Sequence, residues 1–254
     1  MLRVLQRLLI LLAFALSAAA AIAEETEEEA QFYEEARAAM VETVGLQARL
    51  LGSETGIPEL DAAVLEAMRQ VPRHRFLPPE LQPAGYLDMP LPAMPGATVS
   101  QPLIVALMLQ AAAVQPEEEV LVVGVGAGYL TALLLELGAS VKVMEYDQSI
   151  ASYAESRFEE LGYSDLAMRI GDGYYGWPEA NQQFKAIIVR LAIPEVPPTL
   201  TAQLAPGGRL VAPVGQPQGR QWLTLVERDA TTRELRQRRL LEVRFTPLPG
   251  GIRL

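Results

Sequence analysis

Apolar and polar positions change period along this chain, and the changes mark its elements. Between Glu119 and Gly215, short continuous apolar runs alternate with segments of helical spacing. "EVLVVGV", "SVKVMEYD", "LAMRIGDG", "FKAIIVRLAI" and "RLVAPVG" read as strands. "GYLTALLLELG", "QSIASYAESRFEELGY" and "PPTLTAQLAPGG" read as the helices between them, the last with a glycine stop. Strands without polar alternation are covered on both faces, and their alternation with helices predicts a doubly wound, mostly parallel α/β sheet. After it, "QWLTLVERDATTRELRQRRLLEVRFTPL" predicts an antiparallel hairpin and edge strand, with "RDATTRE" as the turn.

Ahead of the sheet the pattern is different. Glu24 to Leu51 is acidic, free of proline and helix-forming, which predicts a long, largely solvated amphipathic helix. "IPELDAAVLEAMRQVP" repeats apolar residues at helical spacing, with Pro58 in a first-turn position. "QPLIVALMLQAAAV" predicts another helix. Between these two, proline is too dense from Pro72 to Gly96 for regular helix or central strand. Phe76, Leu77, Tyr86 and Leu91 predict that this stretch packs on the domain as an ordered layer.

The first residues carry a separate signal. "MLRVLQRLLILLAFALSAAAAIA" joins a charged start, an apolar middle and an A-x-A end, the pattern of a cleaved secretory signal. The expected organisation is a signal over 1–23, an acidic helical segment over 24–51 and one domain over 52–254. The mature chain would be periplasmic or secreted, without stable membrane insertion, and a monomer. Composition narrows the chemistry further. With 21 basic against 31 acidic residues the chain lacks the cationic excess of a nucleic-acid binder. With no cysteine it has no thiolate nucleophile, disulfide or cysteine-ligated metal, and no metal is expected.

The candidate chemistry sits at the strand ends, where a doubly wound sheet binds its ligands. Gly124, Gly126 and Gly128 follow the first strand. Glycines there let a ligand approach the backbone and expose N–H groups at a helix start. Their G-x-G-x-G spacing is tighter than a dinucleotide fingerprint and suits a cofactor without phosphates. A tight strand-to-helix turn explains the loop equally well on its own. Glu145 ends the next strand about twenty residues on, where a carboxylate accepts from ribose hydroxyls. Asp147 is placed to cap the following helix. Asp172, between Gly171 and Gly173, is placed either to accept from an adenine amino group or to make an ordinary Asp-Gly turn. Such features on consecutive strands favour a nucleoside-binding crevice.

These segments resemble the protein-L-isoaspartate (D-aspartate) O-methyltransferase family, from about Met40 to Leu248. The resemblance is carried by "GIPELDAAVLEAMRQVPRHRF", "GYLDMPLP", "GATVSQPLIVALM", "VLVVGVGAGY", "LGYSDLAMRIGDGYYGWPE", "FKAIIVRLAIPEVPPTLTAQLAPGGRLVAPVG" and "VRFTPL". It implies the fold of S-adenosylmethionine-dependent methyltransferases and methyl transfer to the carboxyl of isoaspartyl or D-aspartyl residues in damaged proteins. The ester then cyclises to a succinimide, which reopens to normal aspartate. The resemblance further implies that Gly124, Gly126, Gly128, Glu145, Asp172 and Gly173 hold S-adenosylmethionine. It places Thr98, Val99 and Ser100 at the reaction centre, with Ser100 the active-site serine. Ser100 is also placed to cap the helix starting near Pro102. His74, the sole histidine, is expected to be structural.

The chain departs from the family at three points. Val122 stands where the family has an acidic residue two before the first glycine. Arg190 and Leu191 stand where the fourth strand usually ends in a small residue followed by alanines. Arg190 has three placements open to it: on the substrate carboxylate, filling the crevice, or turned to solvent or an acid. The signal sequence departs from a cytosolic family. The alternative to a transferase is an exported, non-catalytic binding module for peptides or envelope partners on the same fold.

Overall fold

The computed structural model describes residues 26–164, 166–179 and 181–250. The expected signal over 1–23 therefore lies outside the described residues. The chain divides into two compact units, Met1–Glu35 and Ala36–Leu254. Helix α1 runs Glu27–Leu50 and the short helix α2 runs Gly52–Thr55. In the first unit the start of α1 is a reciprocal cap: Glu29 N donates to Thr26 Oγ1 at 3.2 Å, and Thr26 N donates to Glu29 Oε2 at 3.0 Å. Among the described residues, no helix is long and apolar enough to cross a membrane.

The second unit is built on one seven-stranded sheet. Its strands are β3 (Glu119–Val123), β4 (Ser140–Glu145), β5 (Leu166–Ile170), β6 (Phe184–Val189), β7 (Leu204–Gly215), β8 (Gln221–Arg228) and β9 (Leu235–Val243). They lie in the order β5-β4-β3-β6-β7-β8-β9. The neighbours from β5 to β7 run parallel, and β8 and β9 add antiparallel. The chain steps outward from β3 to β5, then returns to lay β6 on the other side of β3. The carboxyl ends of β3 and β6 therefore diverge, which makes them the topological switch point.

The apolar runs explain the burial. Val120 to Val123 are fully buried although successive side chains point to opposite faces, so both faces of β3 are covered. Helix α4 (Pro102–Ala112) packs on β6, β7 and β8, while α6 (Gln148–Leu161) packs on β4 and β5. Helix α5 (Tyr129–Glu136) follows the glycine loop and packs on β4. Leu121, Val123, Ile187, Val189, Phe184 and Leu210 fill one core cluster, each contributing about 1.5–3 kcal/mol by leaving water.

The proline-rich stretch is an ordered layer, as its apolar residues predicted. Two 3₁₀ turns, Arg73–Phe76 and Pro79–Ala84, lead into β1 (Leu91–Met94), which pairs antiparallel with β2 (Ala97–Val99). Phe76, Leu77, Tyr86 and Leu91 are buried. The small β1–β2 ribbon went unread, because its strands are short and interrupted by Pro92.

Two local expectations are corrected. Pro58 lies outside helix α3 (Ala62–Gln70), whose N-cap position is Asp61. Asp61 exchanges hydrogen bonds with the side chain of Gln110 on α4, at 2.6 and 2.9 Å, and this fixes the helix start beyond the proline. The glycines after "AQLAP" do not stop a helix. The short helix α7 (Pro198–Ala202) has already ended, and Gly207–Gly208 lie inside β7. The register against β6 jumps there, from Phe184↔Leu204 to Ala186↔Arg209. Gly207 has φ +73°, and a Cβ on Gly208 would stand 2.8 Å from Ala205 O, so the pair forms a bulge that only small residues fit.

His74 is structural. It is 2% exposed, and its Nδ1 lies 2.7 Å from the Tyr86 hydroxyl. Burial, assisted by Arg75 and Arg37, pushes its pKa down from 6.5 to about 4. Between those values the unfolded chain takes up a proton that the folded chain refuses, so acid destabilises the fold. Going from about pH 7.5 to about pH 5.5, urea unfolding should show a loss of about 1 kcal/mol. The His74→Gln variant should lack that slope; an identical slope in both would assign it to other groups.

Candidate functional site

A cavity of about 930 Å³ opens at the switch point. Gly124, Gly126, Glu145, Thr98, Ser100 and Arg190 line it, so strand ends far apart in sequence meet there. The glycine loop is held from two directions. Gly124 N donates to Met144 O at 2.8 Å, and Val125 N donates to Glu145 Oε2 at 2.8 Å. The other Glu145 oxygen accepts from Tyr146 N at 2.8 Å and Asp147 N at 3.0 Å. The buried carboxylate thus joins the loop to the end of β4, while its residue still faces the cavity.

Arg190 turns into the cavity and away from solvent. It is 8% exposed and reaches across the crevice. Nη1 donates to Gly124 O at 3.2 Å; Nη2 donates to Thr98 O at 3.3 Å and to Ser100 Oγ at 3.2 Å. A Cβ on Gly126 would collide with the guanidinium, and Gly126 also holds φ +56°, so glycine is required there twice over. Burial pushes the Arg190 pKa down to about 10, with Glu145 opposing the shift. The group therefore stays cationic at neutral pH. It neither faces solvent nor closes the crevice.

Ser100 is fixed at both ends. Its hydroxyl accepts from Arg190, and its carbonyl accepts from Arg73 Nη2 at 3.0 Å. Arg73 is fully buried and also donates to Met89 O at 3.0 Å and to Gly85 O. The expectation that Ser100 caps α4 is corrected: the N-cap position is Gln101, and no side chain of that position bonds the helix. Asp88 does that work from "GYLDMPLP", accepting from Leu103 N at 3.0 Å and from Gln101 Nε2 at 2.9 Å.

Val99, Gly128, Asp172 and Gly173 do not line the cavity, whereas Asp147 does. Val99 is buried in β2. Gly128 takes the N-cap position of α5. Gly173 packs on Val123 within a 3₁₀ turn. Asp172 caps that turn, accepting from Tyr174 N at 3.0 Å, and its carboxylate lies against Gly250. Asp147 caps α6 as expected, through Ser149 N at 2.7 Å and Ile150 N at 3.3 Å.

Sequence reasoning missed Arg73, Asp88 and the tail. Residues 242–247 and Pro249 form one wall of the cavity. A parallel bridge pairs Pro247 with Ala192, and Leu248 N donates to Ala192 O at 2.8 Å. The motif "VRFTPL" was the available signal for that wall.

The family model for protein-L-isoaspartate (D-aspartate) O-methyltransferase matches residues 53–252. The chain belongs to this family. It is 43% identical over 219 residues to protein-L-isoaspartate O-methyltransferase 2 of Syntrophobacter fumaroxidans, covering 86% of this chain and 88% of that one. Against the protein-L-isoaspartate O-methyltransferase of Methylorubrum extorquens it is 46% identical over 218 residues, covering 86% and 90%. A solved protein-L-isoaspartate O-methyltransferase superposes with TM-score 0.69 at 27% identity, covering 83% of this chain and 66% of that one. A Plasmodium falciparum structure, described as a family member in complex with S-adenosyl-L-homocysteine, shares the fold with TM-score 0.68 at 23% identity. It covers 84% of this chain and 97% of that one. The reading of a non-catalytic binding module finds no support in these likenesses.

In this methyltransferase fold Glu145 has a measurable structural load. Replacing it by glutamine turns one acceptor oxygen into a donor facing backbone N–H groups. Glu145→Gln should lower the unfolding free energy by about 1.5–3 kcal/mol in urea titrations. An unchanged midpoint would show that the carboxylate does not hold the loop.

Proposed function

We propose that this protein transfers a methyl group from S-adenosylmethionine to the carboxylate of isoaspartyl and D-aspartyl residues in damaged proteins, acting as a monomer. The observation that carries this reading is the open cavity at the switch point. It brings the glycine loop, Glu145 and the Thr98–Ser100 segment to one place in a chain of this family.

The cavity fits such a cofactor chemically. Its Gly124–Gly126 edge is bare backbone, its Glu145 edge is acidic, and its Arg190 edge holds a buried Nε without a partner. Gly124, Gly126 and Glu145 are the residues assigned to hold the nucleoside, with Asp172 and Gly173 shaping the adjoining turn. When bound, S-adenosylmethionine supplies a methyl group already activated on a sulfonium. The acceptor carboxylate is ionised at neutral pH, so the protein has no need of a strong base. Its task is alignment, which intramolecular analogies value at several kcal/mol. Ser100 Oγ accepts from Arg190, and its own proton is left to donate. We assign that proton to one oxygen of the acceptor carboxylate, orienting the other. Thr98 and Val99 set the height of this segment through the β1–β2 ribbon.

We also propose that the chain is exported, on the strength of the charged, apolar and A-x-A pattern of residues 1–23. Its mature start would lie near Glu24. The cytoplasmic placement usual for the family is the competing outcome.

With a labelled methyl donor, an isoaspartyl peptide should be methylated and its aspartyl counterpart should not. Ser100→Ala should lower kcat roughly 10- to 100-fold, the worth of one hydrogen bond to a charged group. No transfer by the wild type would refute the assignment, and full activity in Ser100→Ala would remove that residue's role. Cell fractionation with mass determination of the N-terminus should find an exported chain starting near Glu24; a cytoplasmic chain with its first residues intact would refute export.

A further inference from the structure

Among the described residues, Arg190 is a buried cation whose every hydrogen-bond partner is neutral. Its described partners are the carbonyls of Gly124 and Thr98 and the hydroxyl of Ser100. Its Nε is buried without a partner. Glu145 acts on it electrostatically, but the Glu145 oxygens bond the backbone of Val125, Tyr146 and Asp147. With valine at position 122, the carboxyl end of β3 supplies no acid either. Burying a charge is costly unless an opposite charge meets it. Arg190 also lines the cavity, so the missing anion is one that a ligand brings.

Two carboxylates enter this cavity if the proposed function holds, and the present inference rests on that reading. One is the acceptor, which loses its charge when the O–CH₃ bond forms. The other belongs to the amino-acid end of the methyl donor, which stays charged throughout. An ion pair to the acceptor would hold the ground state more tightly than the transition state and would slow the reaction. An ion pair to the spectator carboxylate carries no such penalty. The guanidinium also lies against the backbone of Gly126 and bonds Gly124, which places it on the cofactor loop.

We propose that Arg190 receives the carboxylate of the methyl donor's amino-acid end, and that it is a cofactor-binding residue peculiar to this chain's departure at position 190. It competes with the reading in which Arg190 grips the substrate carboxylate.

Calorimetry with two probes tests this. S-adenosylhomocysteine carries the amino-acid carboxylate; 5′-methylthioadenosine has the same nucleoside and thioether without it. Arg190→Met should weaken S-adenosylhomocysteine by about tenfold or more beyond whatever it costs methylthioadenosine through the loosened glycine loop, as expected for a lost charge-assisted pair. Arg190→Lys keeps the charge without the planar fork, and should weaken S-adenosylhomocysteine by a smaller factor; it replaces the methionine variant if that one fails to fold. Equal loss for both probes, or no loss for either, overturns the inference while the proposed function stands. Unchanged S-adenosylhomocysteine affinity with a raised KM for isoaspartyl peptide also overturns it, giving Arg190 to the substrate. A wild-type protein that binds neither probe sinks the proposed function, and this inference with it.

Discussion

One buried guanidinium ties the functional end of this molecule together. Arg190 leaves the carboxyl end of β6 and bonds the glycine loop after β3, the carbonyl of Thr98 and the hydroxyl of Ser100. These segments come from opposite sides of the switch point and from a ribbon outside the sheet. Without the guanidinium, Gly124 O, Thr98 O and Ser100 Oγ would each need another donor. Glycine at 126 is the complementary condition, since any side chain there would occupy the guanidinium's position.

The rest of the site supports that tie. Arg73 holds the Ser100 carbonyl from the proline-rich layer, so the serine is gripped through main chain and side chain at once. Asp88 secures the start of α4 in place of a local cap. Glu145 binds three backbone N–H groups and keeps the loop on the end of β4. A reaction that needs alignment more than acid–base chemistry is well served by a rigid cradle of this kind. The tail adds the remaining wall through its bridge to Ala192.

The centre of the sheet was legible because β3 and β6 are buried on both faces and spell continuous apolar runs. The glycine loop and Glu145 were legible because ligand sites in such sheets fall at strand ends, whereas the Thr98–Ser100 segment was legible only through the resemblance to the family. Other features depended on tertiary contacts that spacing does not encode. Nothing local announces that Asp88 caps a helix beginning at Pro102, or that Arg73 reaches Ser100 O, twenty-seven positions away. The β7 bulge looked like a helix stop, because glycine serves both purposes and only the partner strand decides. Ser100 looked like a cap because serine serves that purpose locally, whereas its hydroxyl is claimed by Arg190 from the carboxyl end of β6. Position 190 stood out as a departure, but its direction rested on the burial of everything around it.

The central claim is that Arg190 completes the cofactor site rather than obstructing it. A crystal structure with S-adenosylhomocysteine bound tests this most directly. The account predicts the nucleoside between the glycine loop and Glu145, with the amino-acid carboxylate within hydrogen-bond distance of Arg190 Nε. Finding the guanidinium swung out of the cavity, or the carboxylate bonded elsewhere with Arg190 Nε still unpartnered, would contradict it.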